Sequence, residues 1–320
     1  RVTANCYLTI KGGNFTGGVN TVKNDSFGVL TINGGNFSNT AQYVIMNWNK
    51  AEITAGTFQT LDAASAVLFT SAYGGDANTV GKLTISGGEF KHASDTQEMI
   101  VDHYDASNSG TAAVTGGKFD ADISAYVPNG YIQNENGAVE TLGETNAVAK
   151  VGGTYYKTLA DAVSAAQDGD TITLLKDAEL TSTLNLAKNI TIDGQGKYTI
   201  KAANNFIVGK DNNTCCVLYV SGEVTLKDVT VNGNEKCRVI FCDKGKLTID
   251  GATITNGKAP NFIGGVYMTS SASFEMKSGS ITGNKNAELY QNEKYLQYSS
   301  DLWIGANANG ALTAINGGTI

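Results

Sequence analysis

The chain has 320 residues, of which 41% are hydrophobic and 17% charged, a balance that excludes a disordered polypeptide and leaves room for two ordinary domains or one long repeat array. The formal net charge is −7 and Arg1 and Arg238 are the two arginines, so a nucleic-acid partner, which needs clustered cations on its phosphates, is excluded. Thirty-eight glycines against two prolines (Pro128 and Pro260) call for many short strands joined by tight turns, and no apolar run has the length of a membrane span.

The first half repeats one phrase. It reads Leu8-Thr9-Ile10-Lys11-Gly12-Gly13-Asn14-Phe15, then Leu30-Thr31-Ile32-Asn33-Gly34-Gly35-Asn36-Phe37, with weaker copies at 52–58, 83–90 and 113–119. The closing phenylalanines are 22, 21, 32 and 29 residues apart. Apolar and polar side chains alternate within each copy, so one face is buried, and the Gly-Gly pairs read as turns at fixed repeat positions. A period in the low twenties holds about three short strands and their turns, and stacked copies pair about 4.8 Å apart. Leu8, Ile10, Leu30, Ile32, Leu83 and Ile85 are therefore expected to form an internal stack. The longer periods mark repeats in which a turn has grown into a loop. His92 and His103, with Asp95, Asp102 and Asp105, fall in such a loop and are read as solvated residues in preference to an acid–base pair or metal ligands. Tyr43 and Trp48 are candidate binding residues of this half.

Residues 126–147 break the rhythm, as an exit linker would. The boundary divides the chain into a first segment, 1–147, and a second, 148–320. The second opens on the one convincing helix, near 158–167: Leu159, Ala162, Val163 and Ala166 share a face, Thr158 is its predicted N-cap with Asp161 three residues on, and Gly169 ends it. It reads as a cap over the end of the repeat array.

A sister phrase follows: Ile190-Thr191-Ile192-Asp193, Val224-Thr225-Leu226-Lys227, Leu247-Thr248-Ile249-Asp250 and Phe274-Glu275-Met276-Lys277. Ile190, Ile192, Leu247 and Ile249 are expected inside. Asp193, Lys227, Asp250 and Lys277 are expected to form an external ladder of alternating charge. Cys215, Cys216, Cys237 and Cys242 cluster here, with Cys6 far off; Cys215 and Cys237 are one repeat apart, and the preferred reading is small buried apolar residues rather than a disulfide. The insertion from Asn286 to Trp303 carries Tyr290, Tyr295, Tyr298 and Trp303, the first-choice candidate binding surface, although aromatics packed back on the repeat array are the competing account.

The run from Tyr155 through Asp161-Ala162-Val163 and on to Asp168-Gly169-Asp170-Thr171-Ile172-Thr173-Leu174-Leu175 resembles the start of pectate-lyase-like β-helix modules in large surface proteins of Gram-positive gut bacteria. Phe119-Asp120 to Asn129-Gly130-Tyr131 resembles the exit of such a module, and Gly264-Gly265-Val266-Tyr267-Met268 resembles the repeats of adhesin-like β-helix proteins. The resemblance implies an all-β fold: a right-handed parallel β-helix in two consecutive segments with one short helix. A leucine-rich repeat lacks its L-x-x-L-x-L pattern here, and a propeller lacks its Trp-Asp signature. For the lyases it also implies a calcium-binding acidic cluster and a catalytic Arg or Lys, but Arg238 is the lone internal arginine and no acidic cluster lies beside it in sequence. The expectation is therefore a non-enzymatic, extracellular, cell-surface or secreted module without catalytic residues, metal or cofactor. It is adhesin-like, with a host surface protein, immunoglobulin or glycan as partner, or else a rigid stalk, and it belongs to a chain with further domains. A carbohydrate-active enzyme on the same scaffold is the alternative.

Overall fold

Alternation of apolar and polar residues gives each repeated phrase a strand. In the computed structural model, which describes residues 5–61, 66–94, 97–211, 214–259, 263–286, 301–305 and 313–320, each phrase after the first lies in one, Lys277 excepted, and the first is divided between Cys6–Ile10 and Asn14–Thr16. Most of the structure is strand, in largely parallel sheets, with one α-helix among the described residues. Among the described residues no helix is long and apolar enough to cross a membrane. The chain divides into two compact units, Arg1–Leu142 and Gly143–Ile320.

In the first unit the phrases form one parallel sheet from Cys6–Ile10, Gly28–Asn39, Lys50–Thr60, Lys82–Lys91 and Thr111–Phe119. Its register puts like on like: Ile10 opposite Ile32, Ile32 opposite Ile53, Ile53 opposite Ile85 and Ile85 opposite Val114. All but Ile10 of these are at most 1% exposed. Leu8 is the correction. It pairs with Leu30 as expected but stands 53% exposed, because its strand has a described neighbour on one side only.

The Gly-Gly pairs are not chain-reversing turns. From the second copy on the strands run through them, with register shifts at the pair between Ile32 and Asn36, so they are bulges that bend a continuing ladder, whereas Gly12-Gly13 separates Cys6–Ile10 from Asn14–Thr16. The glycine two residues before each phenylalanine has positive φ, between +100° and +127° in Gly13, Gly35, Gly56, Gly88 and Gly117. A Cβ on Gly35 or Gly56 would also meet the preceding copy's glycine carbonyl and the ring of the phenylalanine two residues on, at 3.0–3.1 Å. That closeness lets the phenylalanines of successive copies lie face to face: Phe15, Phe37, Phe58, Phe90 and Phe119 stack at 4.5–4.9 Å with ring planes within 7°. A second parallel sheet of Asn20–Asn24, Tyr43–Asn47, Leu68–Thr70 and Ile100–Val101 completes the core with Ile45, Leu68 and Ile100. The stretch after Phe119 folds onto the same core: Ile123, Val127 and Val139 are buried in it, and Tyr131–Gln133 pairs antiparallel with Val139–Thr141.

In the second unit the chain visits three largely parallel sheets in turn, the largest edged by the antiparallel strands Ala149–Val151 and Thr154–Tyr156. The largest carries the phrases Thr171–Leu174, Ile190–Asp193, Glu223–Lys227, Gly245–Asp250, Ala272–Met276 and Thr313–Ile315. Ala178–Leu180, Thr199–Ala202, Thr230–Asn232, Thr253–Thr255 and Ser280–Ile281 make the second, and Leu184–Leu186, Cys216–Val220, Arg238–Cys242, Val266–Met268 and Leu302–Ile304 the third. Ile190, Ile192, Leu247 and Ile249 are buried, as the alternation predicts.

The helix is Leu159–Ala165 with Thr158 as its N-cap, and it ends two residues before the sequence expectation. Thr158 Oγ1 accepts from the Asp161 N–H at 3.0 Å and donates to the Asp161 carboxylate at 2.8 Å, a capping pair at the first turn. Its far end closes early because Lys188 donates to the carbonyls of Val163, Ser164 and Ala166 at 3.2, 2.7 and 2.6 Å, filling acceptors that a further turn would have used. Leu159, Ala162, Val163 and Ala166 join the core beside Ala149 and Ile172.

Candidate functional site

On the smaller sheet of the first unit, alternation sends Ile45, Leu68 and Ile100 into the core and turns the row Lys23, Met46, Phe69, Val101 to the other face. Phe69 is nevertheless 2% exposed. Tyr43 and Trp48 cover it, with ring centroids 4.9 and 5.0 Å away. Trp48 itself is 8% exposed, because Tyr73 and Tyr104 stand edge-on against it at 6.2 and 5.3 Å. Those two are the accessible rings: Tyr73 is 52% and Tyr104 56% exposed, 6.3 Å apart and inclined at 62°. Together with Lys23, Asp25, Gln42 and Asp76 they line an open groove of about 470 Å³.

The loops that carry the tyrosines are tied down. Tyr73 N–H donates to Thr79 Oγ1 at 2.8 Å, and the Thr79 hydroxyl donates back to the Tyr73 and Asp76 carbonyls. Asp76 holds Asn78 through its N–H and Nδ2 at 2.9 and 2.8 Å, and takes the hydroxyl of Ser26, from a loop two repeats earlier, at 2.6 Å. Tyr104 lies in the hairpin of His103–Asp105 and Asn108–Ser109. This hairpin joins the Tyr73 loop through Ala72 N–H to Ser109 O at 3.0 Å, Ser71 Oγ to Asn108 O at 2.9 Å, and Gly74 N–H to Asn108 Oδ1. Asp105 accepts from Ser107 N–H and then Asn108, which holds its carboxyl below the usual range, so it is ionised at neutral pH. The result is two inclined aromatic platforms on hydrogen-bonded loops, above a floor of buried rings.

Of the residues singled out from sequence, Trp48 and Tyr43 belong to this assembly, mainly as its packed floor. Tyr290, Tyr295 and Tyr298 lie outside the described residues. Trp303, in Leu302–Ile304, is half-buried and pairs in register with Tyr267, extending the row Tyr219, Phe241, Tyr267 of the second unit. Tyr73 and Tyr104 were missed. Their signal was the spacing: each sits in the expanded portion of a long repeat, those of 32 and 29 residues.

The histidine group does not form one site. His92 is not a solvated loop residue: its side chain is 5% exposed, with Nδ1 2.8 Å from Asp120 of the next repeat. His103 Nδ1 lies 3.2 Å from the adjacent Asp102. Asp95 lies outside the described residues. Among the described residues no group of three or more His, Cys, Asp or Glu is arranged to hold a metal ion.

In the second unit the charge ladder is present, with Lys227 2.9 Å from Asp193 and Lys277 3.5 Å from Asp250. Arg238 is 4% exposed, donates Nε to the Ile263 carbonyl at 2.9 Å and lies over the rings of Phe241 and Tyr267 at 5.5 and 5.0 Å. Its guanidinium is committed to packing. Cys237 and Cys242 are buried thiols pushed up to about 12 by burial, Cys216 is raised by the same cause, and no disulfide joins the cysteines. Cys215 is half-buried and Cys6 exposed, so the reading as small buried residues holds for three of the five.

Comparison with protein families, with curated proteins and with solved structures gives no match for this chain.

Proposed function

We propose that the chain consists of two right-handed parallel β-helix segments of a non-enzymatic, adhesin-like surface module, and that its first unit binds a host glycan or protein through the aromatic groove. In-register parallel stacking of the repeats supports the architecture, together with the resemblance of 155–175 and 264–268 to pectate-lyase-like modules of Gram-positive gut bacteria. Under this reading the molecule works outside the cell, secreted or anchored at the surface. The observation that carries the binding role is the pair Tyr73 and Tyr104. Two large amphipathic rings, each more than half exposed, are held by loops whose hydrogen bonds tie three separate repeats together. An ordinary folded surface gains nothing from exposing them, whereas a binding surface gains contact area with few rotamers to freeze.

The test is a retention screen of the full chain on mucins, immunoglobulins and plant polysaccharides, with product analysis of every glycan. Saturable retention without released products, lost in a Tyr73→Ala, Tyr104→Ala double variant that melts like the parent, is the expected outcome. Absence of retention on every surface overturns the binding role. Release of oligosaccharides that stops on Asp102→Asn or Asp250→Asn replaces it with a carbohydrate-active enzyme.

A further inference from the structure

We infer that the groove of the first unit takes the terminal, uncharged pyranose of a glycan, gripped in the angle between Tyr73 and Tyr104. This rests on the binding role proposed above and narrows it to one ligand chemistry. Three features of the groove carry it.

The first is the shape of the platform. A ribbon-like polysaccharide lies flat along a row of coplanar rings. Tyr73 and Tyr104 are inclined at 62° with centroids 6.3 Å apart, so no flat ribbon can lie on both. Two inclined faces instead hold one compact ring, the apolar C–H face of the sugar on one tyrosine and its edge against the other. The volume of about 470 Å³ suits one or two sugar rings.

The second is the polar lining. A pyranose carries hydroxyls around the rim of its apolar face and needs acceptors and donors beside the aromatic platform. The groove offers the Asp76 carboxylate, the Gln42 amide and the Lys23–Asp25 pair, in which Nζ and Oδ2 are 2.7 Å apart. Asp76 is pre-positioned by its bonds with Ser26 and Asn78, so little ordering is left for the moment of binding.

The third is the sign of the charge. The charged groups lining the groove are one lysine, Lys23, and two aspartates, Asp25 and Asp76, and Asp105 adds a further carboxylate to the Tyr104 hairpin. The balance is negative, which repels an acidic sugar such as a sialic acid or uronate. It would attract an organic cation, but Asp25 already holds the Lys23 ammonium and both oxygens of Asp76 are engaged by Ser26 and Asn78. A neutral pyranose pays neither penalty.

The experiment measures binding of the full chain to immobilised mucin glycans before and after enzymatic removal of their terminal sialic acids, and again after periodate oxidation of the exposed sugars. Free galactose, glucose and choline serve as competitors. Binding is expected to rise about tenfold on desialylation, to disappear on oxidation, and to be inhibited by a neutral sugar and not by choline. Tyr104→Ala and Tyr73→Ala should each weaken it about tenfold, with Tyr104→Phe close to the parent because the stacking face remains. Asp76→Asn should narrow the difference between sialylated and desialylated glycans. Circular dichroism and thermal unfolding of each variant separate a lost site from a lost fold. Equal binding to sialylated glycan, or inhibition by choline, overturns the inference. Binding that survives oxidation but is lost in Tyr104→Ala also overturns it, and identifies the partner as a protein, leaving the binding role intact. If none of these surfaces is bound, the inference and the binding role fall together.

Discussion

Tyr126 donates its hydroxyl to the Ile100 carbonyl at 3.1 Å, and burial, followed by the charges of Asp102 and Glu98, pushes its pKa up to about 12 from an ordinary 10.0. A phenol whose folded pKa is raised holds its proton more tightly in the folded state. The stability it contributes is fully present below about pH 10 and is lost as the pH rises to about 12, because the unfolded chain ionises first. The parent should therefore lose denaturant resistance across that window, and Tyr126→Phe should lose distinctly less. Urea midpoints of both proteins at closely spaced alkaline pH values measure this, and parallel curves would refute it. Sequence did not single out this residue. Its hydroxyl partner is 26 positions away and becomes visible only when the stretch after Phe119 folds back on the sheets. His92 was misjudged for the same reason, since its partner Asp120 comes from the next repeat.

At the scale of elements, buried asparagines hold the bend after the first two strands of the smaller sheet in the first unit. Asn24 Nδ2 donates to Asn47 Oδ1 at 2.7 Å and Asn47 Nδ2 to Thr70 Oγ1 at 2.9 Å, a polar ladder running through successive repeats at 23-residue steps. Asn47 is fully buried and also reaches the carbonyls of Asn49 and Lys82 at 3.2 and 3.1 Å. Asn47→Ala would strand several of these groups without solvent, and a loss of about 2–3 kcal/mol is expected. Asn36 makes a similar ladder with Asn14 and Thr57, at 2.8 and 2.6 Å, but in solvent. Water replaces those partners, so Asn36→Ala should stay within about 0.5 kcal/mol of the parent. Chemical denaturation of the two variants decides; equal effects would mean that burial does not set the value of the ladder. The spacing of Asn24, Asn47 and Thr70 was present in the sequence, although nothing in it distinguishes a buried rung from an exposed one.

At the scale of the whole molecule, each unit has its own buried core, the first built around the stacked phenylalanines and the second around Ile192, Leu226, Ile249 and their neighbours. Phe58 is 1% exposed and stacked on both sides, by Phe37 and Phe90. Phe58→Ala should cost about 3–5 kcal/mol, and the loss should fall on the first unit. The two tryptophans report separately, Trp48 in the first unit and Trp303 in the second. In single-tryptophan backgrounds the Trp48 transition should move to lower denaturant while the Trp303 transition stays in place. A matching shift of both would show that the units unfold together.

The strands, their parallel register and the facing of Ile32 or Ile249 were legible in the sequence because alternation and period are local properties: identical phrases at a fixed interval stack on one another, and a one-residue slip would expose every core side chain. Thr158 and its helix were legible for the same reason, since a cap is a contact between residues three apart. The groove was not. Trp48, Tyr73, Tyr104 and Asp76 come from three repeats of unequal length, and the sequence shows that their loops are enlarged without showing where they point. Packing decided that Tyr43 and Trp48 are spent on covering Phe69, and that Tyr73 and Tyr104 keep their faces open. Exposure depends on which neighbours arrive from elsewhere in the chain, and only the folded arrangement of the loops, locked through Asn108 and Ser26, determines it.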